Sequence, residues 1–251
     1  MNKMKIKATV IALLVMLILS MTAYAIQADS QISKTDEKTK NLPSDVQKIV
    51  LVHYKKAPAT AGGSQGKTKT ECYKFLTNSA VKWPSTINYV INPTNSWMIP
   101  SSFVVPAITA GANTWDAATS KQLFNAPTIS TGAETKYGVQ NNVNSVSFGL
   151  YAPAGVMAVT TVWYSAKEGR IIEFDMLFDE HWAWGDATLN PSKNDLQNIA
   201  THEFGHIIGL SDLTNTVCST NTMYAYSSIG ETYKRTLDTG DIKGLLLLYG
   251  Q

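Results

Sequence analysis

The chain has 251 residues, 44% hydrophobic and 16% charged, with 21 basic against 19 acidic side chains. That composition can bury a core, so wholesale disorder is excluded, and the length suits one ordinary domain plus a short extra segment rather than two domains. A net charge of +2, with Lys3, Lys5 and Lys7 all at the N-terminus, gives no field for nucleic acid, and 2 cysteines exclude a disulfide-rich scaffold or a four-cysteine metal site.

Residues 1–25 read as a secretory signal peptide. Three lysines and no acid precede the unbroken apolar run Ile11 to Leu19, and Ala23-Tyr24-Ala25 supplies a small-x-small cleavage site. The run is shorter than the roughly 20 residues of a membrane span, and no later stretch is long and apolar enough to make one. The mature protein is therefore expected to be secreted, off the membrane and in a compartment that permits disulfides. Residues 26–70 are rich in Lys, Gln, Ser, Thr and Asp, with one apolar patch at Ile49-Val50-Leu51-Val52, and they close on the linker-like Ala61-Gly62-Gly63-Ser64-Gln65-Gly66. A pro-segment and a flexible spacer both fit.

From residue 71 the chain reads as a single globular domain running to 251. Thr86 to Ile91 alternates as a strand does, and Asn92-Pro93 ends it. Ser101 to Ser120 has Val104, Ile108, Ala112 and Trp115 at helical spacing, with Pro106 compatible only in or near the first turn. Ser145 to Leu150, Gly155 to Tyr164 and Arg170 to Phe178 are strands, the last with Ile172, Phe174, Met176 and Phe178 on one face. A second helix spans Ser192 to Leu210, with Ser192 as cap and Asp195 in its first turn, and a third spans Asp238 to Tyr249. The order predicts an α+β domain with a twisted mixed sheet.

The chemistry is concentrated in Thr201 to Asp212. His202 and His206, four apart on a helix, place both imidazoles on one face about 40° apart, so they can share one metal ion. Glu203 beside them is placed to touch a metal-bound water rather than the metal. Gly209 can adopt a left-handed conformation that ends the helix abruptly, and the returning chain then offers Asp212 as third ligand, leaving a fourth position for water, as a catalytic zinc needs. Cys72 and Cys218, the only thiols of an exported chain, are expected to pair.

The series His-Glu-x-x-His-x-x-Gly-x-x-Asp resembles the metzincin clan of zinc endopeptidases in its variant with Asp as third ligand. Asn221-Thr222-Met223-Tyr224 is similar to the clan's Met-turn, which sets a methionine beneath the metal; the Met-Tyr pair and the ending Leu237 to Gly250 resemble the matrixin family. Lys82-Trp83, Trp115-Asp116, Ile172-Glu173-Phe174-Asp175 and the active-site edge strand Gly155-Val156-Met157-Ala158 carry weaker matches, and the resemblance covers about 78–251. It implies a metzincin-like domain with an active-site helix and a C-terminal helix, acting as a monomer. It also implies hydrolysis of peptide or protein substrates through a zinc-bound water activated by Glu203, with Gly155 to Ala158 holding the substrate. Many relatives carry calcium; Asp175, Asp179 and Glu180 are the carboxylates that would bind Ca2+ here, solvated turn carboxylates being the plainer reading.

There are departures. Matrixins usually carry His where this chain has Asp212, and a carboxylate lowers the charge of the metal centre by one relative to three imidazoles, leaving the bound water less acidic. The family's zinc-blocking cysteine motif is absent, since Thr70-Glu71-Cys72-Tyr73 does not match it. With 4 histidines in all, only His53 and His181 remain outside the motif, too few for the family's second, structural zinc. Two alternatives stand beside this reading: a zinc peptidase of another class with Glu231 as third ligand, and a catalytically silent peptide-binding protein on the same fold, whose signature would be loss of Glu203.

Overall fold

The strands foreseen between residues 145 and 178 become the centre of a seven-stranded mixed sheet. In the computed structural model residues 45–55 and 71–251 are described; the leader, the Gly62–Gly66 linker and the remainder of 26–70 lie outside them. The strands are β1 (Val46–Lys55), β2 (Val90–Ile91), β3 (Thr128–Ile129), β4 (Ser145–Gly149), β5 (Val156–Ser165), β6 (Arg170–Asp179), β7 (Trp184–Gly185), β8 (Asn194–Asp195) and β9 (Tyr226–Ser227). The large sheet runs β3-β2-β4-β6-β5-β1-β9, and β7 and β8 form a small parallel pair. Strand β5 is antiparallel to β6 and to β1, whereas β2, β4 and β6 run parallel, as do β1 and β9. The domain is α+β.

All ten residues of β5 are buried, and β6 is buried on both faces. Phe174, Met176 and Phe178 face the main hydrophobic core as their alternation foretold, but Ile171 joins them in place of Ile172, which is the extra residue of a bulge opposite Trp163 and Tyr164. The opposite face of β6 carries Glu173 and Asp175, which are held by the loop before β4 and the first residue of β4. Glu173 accepts from the backbone N–H groups of Asn141 and Asn142, both at 2.8 Å, and Asp175 accepts from Gly138 N–H at 2.8 Å and Ser145 Oγ at 2.6 Å. Burial outweighs these donors and pushes the Asp175 carboxyl up to about 7.

Three α-helices complete the domain: α1 (Ser101–Asp116), α2 (Leu196–Ile207) and α3 (Thr239–Tyr249). Val104, Ile108, Ala112 and Trp115 of α1 are buried at the predicted spacing. Pro106 lies in the second turn rather than the first. It is exposed, and so is Ser102, whose carbonyl the missing N–H would have met, so the interruption falls on the face where water substitutes. Helix α2 starts later than the spacing suggested: Asp195 is itself the cap, accepting from Asn198 N–H at 2.9 Å, and Ser192 instead bonds Asn190 in the preceding turn. Helix α3 opens on a reciprocal box between Asp238 and Asp241.

Two further features join segments that are distant in sequence. Ten residues of the compositionally distinct 26–70 stretch, β1, are a strand of the same sheet. Cys72 and Cys218 are joined, with Cα atoms 5.4 Å apart, tying the start of the described domain to the loop before Met223.

Helices α1 and α2 touch at Gly111, where an added Cβ would meet Thr201 N at 2.8 Å and Ala200 at 3.0 Å. In an open helix Gly→Ala raises stability by up to about 1 kcal/mol. Here Gly111→Ala should lower it, by about 1–3 kcal/mol for overpacking, read as a lower urea midpoint at unchanged slope.

Candidate active site

Helix α2 delivers His202, Glu203 and His206 to one buried cleft face, with all three side chains inaccessible to solvent. The helix ends at Ile207, and Gly209 takes φ +109°, a conformation that side-chain-bearing residues rarely adopt. A Cβ there would also lie 2.6 Å from the Val81 carbonyl. The reversal brings Asp212 back beside the helix, its Oδ1 3.3 Å from His202 Nε2 and 3.6 Å from His206 Nε2.

The other ring nitrogens are committed. His202 Nδ1 bonds the Thr222 carbonyl at 2.7 Å, and His206 Nδ1 bonds the Leu210 carbonyl at 2.9 Å. A carbonyl only accepts, so both Nδ1 atoms carry the proton and both Nε2 atoms present bare lone pairs. His202 Nε2, His206 Nε2 and Asp212 Oδ1 are buried and have no hydrogen-bond partner in the protein. A tetrahedral ion with bonds of about 2.0–2.2 Å spaces its ligand atoms about 3.3–3.6 Å apart, which matches both distances to Asp212. The donor set therefore fits zinc. Burial lowers His206 to about 4, so it is a neutral donor at neutral pH, and although burial alone would raise Asp212, His206 and His202 hold its carboxyl below the usual range.

Glu203 points to the same space. Its Oε2 accepts from Thr160 Oγ1 of β5 at 2.6 Å, and its Oε1 is buried without a partner. Burial pushes its carboxyl up to about 7, against the opposing pull of His202 and the Thr160 hydrogen bond. Beneath the helix, Met223 packs so closely on Gly205 that an added Cβ would sit 2.1 Å from the sulfur. The Met223 turn is fixed from below by Asp241 of α3, which accepts from Thr222 N–H at 2.8 Å and Met223 N–H at 3.2 Å.

Not every expectation meets here. Val156 to Ala158 do not form a free edge, because β1 pairs with them: His53 lies opposite Ala158 and Tyr54 opposite Val156. Gly155 precedes the strand, and its carbonyl accepts from Lys55 N–H at 2.9 Å. Glu231 joins no ligating set among the described residues; its carboxylate takes Ser227 Oγ at 3.0 Å and Ser228 N–H at 3.1 Å and faces Lys234 Nζ at 3.4 Å. Asp175, Asp179 and Glu180 likewise belong to no group of three ligating side chains among the described residues. Asp179 accepts from Tyr151 N–H and His181 N–H and meets the His181 ring, and Glu180 receives Ser96 N–H.

Three residues that motif reading passed over help to build the site. Thr160 holds Glu203. Lys234, fully buried, spends its three ammonium protons on the Tyr224 and Tyr226 carbonyls and Ser227 Oγ, at 2.7–2.8 Å. His53 of β1 reaches in from the other side, its ring 4.1 Å from that of His202. Only the apolar patch before His53 signalled it.

A family model described as Matrixin matches residues 82–250. The chain belongs to the matrixin family. Relatives with significant similarity include Stromelysin-3 of Homo sapiens, 32% identical over 99 residues, or 39% of this chain and 18% of that protein. Matrix metalloproteinase-C of Caenorhabditis elegans is 28% identical over 181 residues, 69% of this chain and 29% of that protein. The chain thus spans less than a third of these relatives. Membership brings zinc metalloendopeptidases as the chemical class, and no described helix is long and apolar enough to cross a membrane.

The contact between Gly205 and Met223 is testable. Gly205→Ala should cost at least about 1–3 kcal/mol by overpacking, whereas Met223→Leu, which keeps the volume, should cost less than about 1.5 kcal/mol. Urea unfolding of both variants, with bound zinc measured alongside, separates steric support from any need for sulfur.

Proposed function

We propose that this matrixin is a secreted, zinc-dependent endopeptidase in which His202, His206 and Asp212 hold one zinc ion and Glu203 moves the proton. The observation that supports it best is the convergence of three buried, unpartnered donor atoms with Asp212 Oδ1 at 3.3 Å and 3.6 Å from the imidazole nitrogens. Leaving three such atoms unpaired would cost about 1–3 kcal/mol each, which a bound cation offsets. Export is supported by the leader composition and by the disulfide.

Zinc in this position supplies a Lewis acid that polarises the scissile carbonyl and acidifies water. The chain's own residues do the rest. Glu203 accepts a proton from the attacking water at Oε1, since Oε2 is held by Thr160. The water oxygen bonds to the carbonyl carbon, the C–N bond breaks, and Glu203 returns the proton to the leaving amine. Burial favours the protonated form of the Glu203 carboxyl, and the Thr160 hydrogen bond fixes the orientation in which Oε1 can take and return a proton. Thr222 and Leu210 hold the imidazoles in the tautomer that leaves Nε2 bare.

Metal analysis of variants tests the ligand set. Asp212→Ala should lose most bound zinc, while Glu231→Gln, which keeps the shape at a site occupied by Lys234 and Ser227, should retain it. If Glu231→Gln strips the metal and Asp212→Ala does not, this ligand assignment fails.

Glu203→Gln is nearly isosteric and should keep fold and zinc, with peptide hydrolysis falling at least about 100-fold, the lower end for a positioned acid–base group. Zinc content and turnover are measured on the same preparation. Full zinc with near-normal turnover would remove Glu203 from the proton transfer.

A further inference from the structure

Beside the end of helix α2 lies an open cavity of about 340 Å3 that shares no residue with the cleft. Ile87, Leu123 and Tyr249 line it as buried side chains and Trp83 as a half-buried one, while Lys82 and Lys121 stand exposed at it. Its size falls at the lower end of the roughly 300–1,000 Å3 of small-ligand pockets, which are commonly apolar with a few polar groups that fix orientation.

The two aromatic side chains are fixed by hydrogen bonds. Trp83 donates its indole N–H to the Ile207 carbonyl at 2.7 Å and its backbone N–H to Tyr249 Oη at 3.1 Å, and Tyr249 passes its own proton to the Ile208 carbonyl at 2.9 Å. Carbonyls of the last turn of a helix have no partner within the helix, so these bonds also satisfy the end of α2. The lining is therefore built by the fold and does not wait for an occupant.

Charge at the cavity is one-sided. No Asp or Glu lines it, and among the described residues neither Lys82 nor Lys121 has a carboxylate within ion-pair distance. The neighbouring Asp116 is turned to backbone, accepting from Leu123 N–H at 2.6 Å and Phe124 N–H at 3.3 Å. Lys82 is partly spent: its Nζ donates to the Leu248 carbonyl at 2.8 Å, at the negative end of α3. The Lys121 ammonium makes no hydrogen bond among the described residues. An uncompensated cation beside an indole and buried aliphatic side chains suits an anionic group carried on an apolar body.

We propose that the cavity between Trp83, Lys121 and Tyr249 is a second binding site, separate from the cleft, for a carboxylate joined to an apolar group. A free small acid and an acidic residue beside an aromatic one in a protein both present that chemistry. The site stands whether or not the cleft is a peptidase, because none of its residues takes part there.

The test uses the full chain with zinc and excess acetohydroxamate, which occupies any accessible metal so that the probe cannot bind there. The probes are 3-phenylpropionate and its uncharged amide, followed by the Trp83 indole N–H resonance. The acid should bind with a dissociation constant on the order of 1 mM, as suits a ligand of about eleven heavy atoms. The amide should bind about three- to tenfold more weakly at low salt, and the gap should narrow at about 1 M salt. Lys121→Gln should weaken the acid about two- to fivefold and leave the amide unchanged. Ser85→Trp, at an exposed lining position, should fill the cavity and abolish binding of both. Should that variant not fold, Lys121→Glu serves instead and should put the acid below its amide. Acetyl-Phe-Asp-amide and acetyl-Phe-Asn-amide then separate the two sources: displacement of the acid by the Asp peptide alone assigns the site to a protein segment, and no displacement assigns it to a free acid. The proposal is overturned if acid and amide bind alike, if neither moves the Trp83 resonance, or if acid binding survives Ser85→Trp or Lys121→Glu unchanged.

Discussion

The geometry of the cleft hangs on two carbonyl groups. An imidazole can face a metal only with one nitrogen stripped of its proton, and the Thr222 and Leu210 carbonyls enforce this by claiming Nδ1–H of His202 and His206. Each carbonyl is itself placed by the fold. Leu210 follows the turn at Gly209, so the reversal that returns Asp212 to the helix also orients His206. Thr222 is held through its N–H by Asp241, whose other oxygen takes Met223 N–H and whose carboxylate closes the first turn of α3. Helix α3, the methionine turn and His202 are thus one hydrogen-bonded unit. The short C-terminal helix, remote in sequence from the motif, sets the ring angle of a candidate ligand.

Support from below is steric. Met223 lies against Gly205 and Trp115 packs on the same glycine, with its indole N–H donating to the Thr201 carbonyl at 2.8 Å. The residue just before His206 must therefore be small, for a reason that lies in packing and not in coordination. Gly111 plays the matching part on α1, letting the two helices approach until backbone meets backbone. Glycines inside helices weaken them by about 0.5–1 kcal/mol. Here that cost is accepted at two points because the contact brings Trp115 and Met223 under the histidines.

Periodicity and short-range spacing made much of this legible. The two histidines, the turn glycine, Asp212, four of the five buried positions of α1 and most of the core face of β6 all express local geometry that a sequence displays directly. The Cys72–Cys218 pair followed from there being no other thiol. What spacing does not carry is which strand sits beside which. The stretch Gly155 to Ala158 reads as an edge strand because nothing within it says that residues 46–55 lie alongside. Cap positions slipped for a related reason: Ser192 and Asp195 are both sound caps by residue type, and the choice between them depends on Arg235, which binds Asp195 from 40 residues away. Lys234 was invisible in the same way, because only the closed fold turns an ordinary lysine into a buried donor to three oxygens.

Burial on both sides of β5 has a consequence for how the sheet is built. A strand with all ten residues buried needs a partner along each edge, since an exposed row of backbone groups beside an apolar surface invites pairing with any available chain. Strand β1 meets that need with a mixed surface: Leu51 enters the core, whereas Val50 and Tyr54 stay about two-fifths exposed. Apart from the pairing itself, it is anchored by few specific contacts, among them the His53–Ser227 bond, Tyr164 Oη to Gln47 at 2.7 Å and Ser165 Oγ to Asp45 at 3.2 Å. Backbone pairing of this kind is indifferent to sequence, so another extended segment can replace it wherever the side-chain contacts are matched. The one contact that lies beside Glu203 is a hydrogen bond whose direction Lys234 and Glu231 dictate. His53 at the end of β1 therefore belongs to one hydrogen-bonded chain with Ser227, Lys234 and Glu231.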